Sequence, residues 1–286
     1  MIYLAVTTGI VVLALFFRWQ NNGIVVTNID YACKDVPRAF NGFKILHVSD
    51  LHNKAFGEGQ KKIVSVMTDI KPDIIAVTGD LIDKRREGTG AALLLAAEAA
   101  KIAPVYYVPG NHERSAGAYE KLAERLKACG VRVIANDALP IERRGAVITA
   151  VGVKDWQFFR TCREDENKKA DYAKADSGFA SKLDELAAAH PGGFRVLLAH
   201  RPEKIDMYAK AGFNLVLTGH AHGGQWRLPL IGGLYAPHQG IFPKYTSGLH
   251  KKGRTSMVVS RGLGNSGFPL RLGNRPELVV ITLRRG

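Results

Sequence analysis

Two histidines that lie one residue apart, His220 and His222, follow an apolar run in the second half of the chain. The run at residues 213–217 is typical of a short buried strand, and Gly219 and Gly223 flank the histidines without crowding them. Because imidazole is a common ligand of transition metals, the pair is a candidate metal site. A His-x-His pair alone is weak evidence, since polar residues also simply cap strands.

Four other apolar runs end in the same way, with a carboxylate, an amide or an imidazole. The runs are residues 44–48, 74–77, 105–108 and 196–199, and the polar residues after them are Asp50, His52, Asp80, Asn111, His112 and His200. In an α/β sheet, the carboxyl ends of the strands form the crevice in which ligands bind. The sequence therefore predicts that these side chains and the two histidines meet at one edge of the fold.

Segments with the spacing of helices lie between these runs. Apolar residues recur at helical intervals in residues 59–70, residues 91–102 are rich in Ala and Leu, and a third segment, 119–129, ends before a glycine. The stretch 143–145 separates two short apolar strands and predicts a hairpin, and the charged run 164–169 is interpreted as a solvated face. This order predicts an α/β fold, a two-sheet sandwich that is flanked by helices and forms a single domain.

The chain begins with an apolar stretch, residues 2–17, which is slightly shorter than the about 17–25 residues of a typical membrane span. A signal peptide and a buried core helix are the alternatives, but no basic segment precedes the stretch and no cleavage motif follows it. We interpret it as an uncleaved transmembrane anchor. Only Arg18 and the terminal amine bear on its orientation, and we place the main domain on the cytoplasmic face of the cell membrane. The predicted division is an anchor at 1–20, a lead-in segment at 21–42 and the main domain at 43–286.

The chain carries a formal net charge of +14, which favours anionic partners such as phospholipid headgroups, nucleic acid or phosphorylated substrates. Solubility alone is the alternative explanation. The basic cluster at 84–86 closely follows Asp80 and is expected at the rim of the site. The three cysteines, Cys33, Cys129 and Cys162, lie far apart and predict neither a disulfide framework nor a zinc motif.

The polar blocks at the ends of the five runs resemble, in order, the signature blocks of the calcineurin-like metallophosphoesterase superfamily. They read Asp-Leu-His at 50–52, Gly-Asp at 79–80, Gly-Asn-His at 110–112, His at 200 and Gly-His-Ala-His at 219–222. The third block continues with Glu113, where many members have aspartate. The resemblance runs from about Phe43 to the C-terminus. Residues 223–229 and 260–273 resemble a membrane-associated bacterial phosphodiesterase branch that is similar to UDP-2,3-diacylglucosamine hydrolases.

The resemblance implies a binuclear centre with two divalent metal ions, in which Asp80 bridges the ions. The other implied ligands form two groups of three: Asp50, His52 and His222 for one ion, and Asn111, His200 and His220 for the other. The resemblance also implies that His112 contacts the phosphate and protonates the leaving oxygen. Mixed nitrogen and oxygen ligands suit Mn²⁺, Fe or Zn²⁺ better than Mg²⁺ or Ca²⁺, and we favour Mn²⁺.

The implied function is hydrolysis of phosphodiester or pyrophosphate bonds at the membrane, in anionic substrates that extend to lipid-linked molecules such as UDP-2,3-diacylglucosamine. A nuclease or a general phosphodiesterase is the enzymatic alternative because the chain is basic, although no nucleic-acid recognition motif supports specific binding. A non-catalytic scaffold with the same fold is the alternative of another class. The complete set of predicted ligands argues against a scaffold. The oligomeric state stays open.

Overall fold

The computed structural model describes residues 1–161 and 168–286. Cys162 and residues 164–166 of the charged run lie outside the described residues, so their interpretation stays a prediction. The helices of the described residues are α1 (Ile2–Asn22), α2 (Lys61–Ile70), α3 (Gly90–Ile102), α4 (Asn111–Ser115), α5 (Tyr119–Ala128), α6 (Lys168–Ala189) and α7 (Ile205–Lys210). The strands of the described residues are β1 (Val25–Ala32), β2 (Lys44–Val48), β3 (Ile74–Val77), β4 (Val105–Tyr107), β5 (Arg132–Val133), β6 (Asp137–Arg143), β7 (Ala146–Gly152), β8 (Phe194–Leu198), β9 (Leu215–Thr218), β10 (Arg227–Leu228), β11 (Gly232–Gly233), β12 (Tyr235–Ala236), β13 (Gly240–Ile241), β14 (Gly248–Lys252), β15 (Thr255–Val259) and β16 (Glu277–Arg284).

Two six-stranded sheets form the centre of the described fold. The first has the strand order β1-β16-β2-β3-β4-β5, and the second has the order β14-β15-β9-β8-β7-β6. Strands β2 to β5 run parallel to one another, and so do β7, β8, β9 and β15. The carboxyl ends of the parallel strands in each sheet therefore meet at one edge, where a ligand crevice is expected.

The two sheets pack face to face, and helices cover their outer faces. Successive side chains of β2 alternate between two cores: Ile45 packs between the sheets, whereas Leu46 and Val48 pack under the helices. Helices α2, α3 and α5 cover the first sheet, and α6 and α7 cover the second. The predicted α/β sandwich of two sheets with flanking helices is confirmed.

Local patterns located these elements to within a few residues. Helices α2, α3 and α5 fall on the three segments with helical spacing. The predicted hairpin joins β6 and β7, and its turn residues Arg144 and Gly145 both have a positive φ. The region after Gly224, which is rich in Gly and Pro, holds two very short hairpins, β10–β11 and β12–β13.

Strand β1 lies in the segment assigned as lead-in. It pairs in parallel with β16 along all of its 8 residues, from Val25 opposite Glu277 to Ala32 opposite Arg284. Because β16 also pairs with β2, the first sheet begins at Val25 in the chain. The division of the chain at residue 43 stays a prediction.

Helix α1 exposes its apolar side chains. It has 21 residues, and its most apolar 18-residue window has a mean hydropathy of 1.9 and is 0% buried. At about 1.5 Å per residue the helix measures about 30 Å, which matches the hydrocarbon core of a bilayer. Its last turn contacts the domain: the Asn21 side-chain oxygen accepts a hydrogen bond from the Arg271 backbone at 2.9 Å. The guanidinium of Arg275 lies over the Trp19 ring, 4.5 Å from its centre.

Candidate metal centre

The predicted ligands lie in tight turns after the carboxyl ends of five strands. Asp50 and His52 follow β2, Asp80 follows β3, Asn111 follows β4, His200 follows β8, and His220 and His222 follow β9. Backbone hydrogen bonds join the first two turns: the Asp50 N–H donates to the Gly79 carbonyl and the His52 N–H donates to the Asp80 carbonyl, both at 3.0 Å. The structure thus brings the predicted side chains together at one edge of the two sheets.

Most of these residues have a left-handed backbone. The φ angles are 52° at Asp50, 50° at His52, 52° at Asp80, 64° at His220 and 47° at His222. This conformation costs an L-residue about 1–2 kcal/mol. Strained backbone of this kind clusters at functional sites, where the surrounding structure enforces it.

Glycines beside the ligands permit close approach of the carboxylates. A Cβ atom on Gly110 would lie 2.2 Å from Asp80 Oδ1, and one on Gly219 would lie 2.2 Å from Asp50 Oδ2. Any larger residue at either position would displace a carboxylate from the site. The glycines that precede Asn111 and His220 in the sequence blocks therefore meet a spatial requirement.

The first cluster of predicted ligand atoms comes from Asp50, His52 and His222. The Nε2 atoms of the two imidazoles lie 3.1 Å apart. Asp50 Oδ1 lies 3.4 Å from His222 Nε2 and 3.8 Å from His52 Nε2. All three side chains are buried, so their polar atoms face one another rather than solvent.

The second cluster is centred on His200. Its Nε2 atom lies 3.2 Å from Asn111 Oδ1, 3.2 Å from His220 Nδ1 and 3.3 Å from Asp80 Oδ2. The other ring nitrogen, Nδ1, lies 2.6 Å from the Thr78 carbonyl oxygen, which can only accept a hydrogen bond. The proton on Nδ1 leaves Nε2 free as a ligand, an arrangement that is common for metal-binding histidines.

The spacing of the atoms in both clusters fits metal coordination. Ligand atoms about 2.1 Å from one ion lie about 3.0 Å apart in octahedral geometry and about 3.4 Å apart in tetrahedral geometry. Asp80 Oδ2 belongs to both clusters, because it lies 3.7 Å from His52 Nε2 as well as 3.3 Å from His200 Nε2. The nitrogen and oxygen donors suit a divalent transition metal.

The buried charges of the site also favour a cation. Burial would raise the pKa of Asp50, but His222 and His52 hold that pKa below its usual range. Burial lowers the pKa of His222 to about 3, so its ring is neutral at pH 7 and keeps a lone pair for a metal. Burial opposes the charged form of His200, yet the Asp80 carboxylate raises its pKa to about 10. The imidazolium form of His200 places a positive charge beside the Asp80 carboxylate, and a divalent ion could take the place of that charge.

His112 lies beside the clusters, with its Nε2 atom 4.0 Å from Asp80 Oδ2. In the neutral ring, Nδ1 accepts a hydrogen bond from the Lys84 backbone N–H at 3.1 Å, which leaves the proton on Nε2. In the imidazolium form, the additional proton on Nδ1 faces Asp83 Oδ1 at 3.2 Å. Both forms present an N–H group at Nε2 to the site, although burial lowers the pKa of the ring.

The basic cluster at 84–86 lies at the rim of the site, as expected. Arg85 pairs with Asp83, with its Nε atom 3.0 Å from the carboxylate. Arg86 donates a hydrogen bond to the His52 carbonyl oxygen at 3.3 Å. These contacts join the positive rim to the turns that carry the predicted ligands.

Glu113 has a structural role that sequence reasoning missed. Its buried carboxylate accepts hydrogen bonds from four backbone N–H groups, those of Asp80, Leu81, Ile82 and Gly110, at 2.7–3.2 Å. Four donors require both of its oxygens to act as acceptors. Glu113 therefore fixes the Asp80 turn against the Asn111 turn, and its place in the third sequence block was the available signal.

Other supporting residues come from distant parts of the chain. Asn274 donates hydrogen bonds to the carbonyls of His222 and Gln225 at 2.7 and 2.8 Å, which fixes the turn after β9. The His238 ring stacks on His220, with ring centres 5.5 Å apart and planes inclined by 25°. No local pattern marks Asn274, and His238 lies in a loop that is rich in Gly and Pro.

Comparison with known proteins agrees with the geometry of the site. The family described as calcineurin-like phosphoesterase matches residues 43–224. The uncharacterized metallophosphoesterase YkuE of Bacillus subtilis (strain 168) is 29% identical over 254 residues, which cover 87% of this chain and 82% of that protein. The phosphodiesterase YaeI of Escherichia coli (strain K12) is 29% identical over 247 residues, or 84% of this chain and 82% of that protein. A transmembrane protein with metallophosphoesterase domain from Bos taurus is 27% identical over 264 residues, or 91% of this chain and 57% of that protein.

Proposed function

Because this chain belongs to the calcineurin-like phosphoesterase family and is a metal-dependent phosphoester hydrolase, we propose that it cleaves phosphodiester or pyrophosphate bonds at a binuclear metal centre. The observation that carries this proposal is the position of Asp80 Oδ2, which lies against one nitrogen of each cluster. A carboxylate in that position can bridge two ions and reduce their mutual repulsion. We favour Mn²⁺, with Fe or Zn²⁺ also suited to the donor set.

The proposed ligands divide as the two clusters do, and Asp80 is common to both. Asp50, His52 and His222 complete the first ion's ligands, and Asn111, His200 and His220 complete the second ion's ligands. The ions would activate a water molecule and stabilise charge on the phosphoryl and leaving oxygens. The chain's own contribution is to hold these donors in a buried, preorganised arrangement.

We assign His112 the role of proton donor to the leaving oxygen. Its Nε2–H group faces the site, and its Nδ1 atom accepts a hydrogen bond from Lys84 in the neutral ring and faces Asp83 in the imidazolium form. Asp83 would act as a positioning residue, because its carboxylate stabilises the imidazolium form of His112. General acids of this kind typically contribute about 10²–10⁴-fold to the rate.

The enzyme is proposed to be attached to the cell membrane by α1. The helix is exposed and apolar, and its length matches a bilayer. One relative is named as a transmembrane protein, which supports this proposal. We propose that the domain lies on the cytoplasmic face, because Arg18 follows the apolar stretch and basic residues that flank a span favour the cytoplasmic side.

Removal of residues 1–20 should yield a soluble domain that still hydrolyses small soluble diesters, because none of the proposed metal ligands lies in α1. The full-length protein should sediment with membranes and resist a high-salt wash, since apolar burial holds it there. Sedimentation before and after washing, together with bis-p-nitrophenyl phosphate hydrolysis, measures both properties. Release by salt alone would exclude an anchoring role for α1.

The apolar surface near the site is the basis for proposing a lipid-linked substrate. Leu230, Ile241 and Phe242 of the two short hairpins are 109%, 74% and 66% exposed. Trp226, which precedes the first hairpin, donates a hydrogen bond to the Leu270 carbonyl at 3.0 Å, and Leu270 lines the same cavity as the end of α1. An acyl chain or a sugar on the substrate could contact this surface while the phosphate group reaches the metal centre.

The substrate class should appear as a preference in kcat/KM. We expect diesters to exceed matched monoesters by about tenfold or more, because the second substituent contacts the rim and contributes about 1.4 kcal/mol or more. UDP-2,3-diacylglucosamine should exceed its deacylated analogue by a similar factor, since two buried methylene groups contribute about 0.8 kcal/mol each.

A preference for monoesters would reject the diesterase proposal. Equal rates with and without acyl chains would leave a general phosphodiesterase, and strongly salt-dependent DNA cleavage would favour the nuclease alternative.

A further inference from the structure

A cavity of about 540 Å³ lies where the end of α1 meets the domain. Its lining comes from α1, from the loop after His52, from the basic rim and from the C-terminal segment, and it includes Phe17, Arg18, Asn21, Lys54, Arg86 and Leu270. Sites for small molecules and cofactors typically have volumes of about 300–1,000 Å³. The cavity is therefore large enough for the headgroup of a lipid.

Among the residues that the structure describes, three cations line this cavity and no carboxylate does. The Lys54 side chain donates a hydrogen bond to the Asn21 carbonyl oxygen. The Arg86 guanidinium donates to the His52 carbonyl, with Asp83 at 3.9 Å as a distant counter-charge. The Arg18 side chain forms no hydrogen bond or ion pair with the described part of the chain. A bound anion would accept hydrogen bonds from these donors and reduce their mutual repulsion.

A second cationic cavity shows how the chain neutralises such a surface elsewhere. It has a volume of about 740 Å³ and lies at the amino ends of β8 and β9, far from the metal centre. There Lys252 lies 2.9 Å from Asp206, and Arg254 lies 3.5 Å from Asp35. Two of its four cations thus have carboxylate partners that line the same cavity, so its positive charge is partly neutralised within the chain.

The other wall of the cavity beside α1 is apolar, and the membrane attachment proposed above would place it at the bilayer surface. Phe17 and Leu270 form this wall. If α1 spans the about 30 Å hydrocarbon core from its first residue, its last turn lies among the lipid headgroups. Trp19, which packs under Arg275, is the type of residue that occupies this interface.

We propose that this cavity binds the phosphate group of an anionic phospholipid, which contacts Arg18, Lys54 and Arg86 while its acyl chain packs on Phe17 and Leu270. This binding site rests on the membrane attachment proposed above. Arg86 also donates a hydrogen bond to the His52 carbonyl, so this one side chain would lie between the bound lipid and a proposed metal ligand. The site would hold the domain in a fixed orientation, with its metal centre close to the bilayer surface.

The test uses the full-length protein in nanodiscs of phosphatidylcholine that contain a minor fraction of phosphatidylglycerol. Native mass spectrometry after release counts the lipids of each type that remain bound. We expect the wild type to retain phosphatidylglycerol preferentially, and we expect Lys54→Gln combined with Arg86→Gln to lower this retention about tenfold or more, because two charge-assisted hydrogen bonds are lost. Arg18→Gln, which breaks no contact within the described chain, should lower it to a smaller extent.

Lys251→Gln combined with Arg254→Gln is the matched control, because it removes the same charges from the exposed opposite edge. Retention that is equal in the wild type and in both cavity variants would overturn the proposal. Displacement of the lipid by millimolar inorganic phosphate would assign the cavity to a free anion and overturn the lipid assignment. Vesicle flotation and bis-p-nitrophenyl phosphate hydrolysis report the anchor and the metal centre separately. Loss of flotation in the wild type would remove the premise of the site, whereas loss of hydrolysis alone would concern only the proposed function.

Discussion

Asp80→Asn should lower kcat/KM for phosphodiesters by about 10³-fold or more, because the metal ions contribute several kcal/mol to transition-state stabilisation and about 4 kcal/mol corresponds to this factor. The amide cannot supply the negative charge that Asp80 Oδ2 places against both His52 and His200. We therefore expect the bound metal to fall from two ions per chain towards none. Inductively coupled plasma mass spectrometry of the purified variant, together with steady-state kinetics, measures both effects.

Asp69→Asn is a suitable control, because Asp69 is an exposed residue of α2 away from the site. It should change neither metal content nor activity. An active wild type that contains one ion or fewer would contradict the binuclear centre. Full metal content in Asp80→Asn would show that another group bridges the ions.

His112→Ala should lower kcat by about 10²–10⁴-fold while metal content stays near that of the wild type. The expected loss follows from the Nε2–H group that His112 presents to the site, and the near-normal metal content follows from its proposed role outside the ligand set. The loss should be greatest for substrates with poor leaving groups, which need a proton as they depart. Rates for esters with leaving groups of graded basicity, measured on metal-loaded protein, provide the comparison.

His250→Ala provides the matched control, since His250 is half-buried in β14 and bonds to the Ser247 carbonyl. Full activity of His112→Ala on a poor leaving group would move the acid role to another residue. Loss of one metal equivalent would instead make His112 a ligand. The cluster of His52, Asp80 and His112 makes this second outcome a specific alternative.

The fold and the positions of the site residues could be predicted from the sequence because both have local signatures. An apolar run that ends in a polar residue marks a strand end, and helical spacing marks the segments that cover the sheets. The strand ends after β2 and β9 are examples, since His52 and His222 meet with nitrogens 3.1 Å apart although they are 170 residues apart in the chain. The parallel order of strands brings such ends together without any local clue to the exact distance.

The supporting contacts themselves could not be predicted, even for a residue within a sequence block, because they depend on tertiary distances that no local spacing encodes. Glu113 reaches the backbone of Asp80 only after β3 and β4 have paired. Asn274 reaches the His222 carbonyl from a segment that has no regular pattern of its own. The contact between Asn21 and Arg271 joins residues that are 250 positions apart. The cavity at the end of α1 therefore could not be predicted from the sequence either.

Strand β16 lies between β1 and β2 in the first sheet, although it follows every other described strand in the chain. During translation, β1 and β2 therefore leave the ribosome long before the strand that joins them. At about 5–20 residues per second, the chain between β2 and β16 takes about 10–50 s to synthesise. During that time, the edges of β1 and β2 that will pair with β16 stay unpaired. Completion of the first sheet must accordingly be a late event. The apolar segment of α1 has already emerged from the ribosome by then. A premature stop codon just before Glu277 would remove an interior strand of the sheet rather than a dispensable tail.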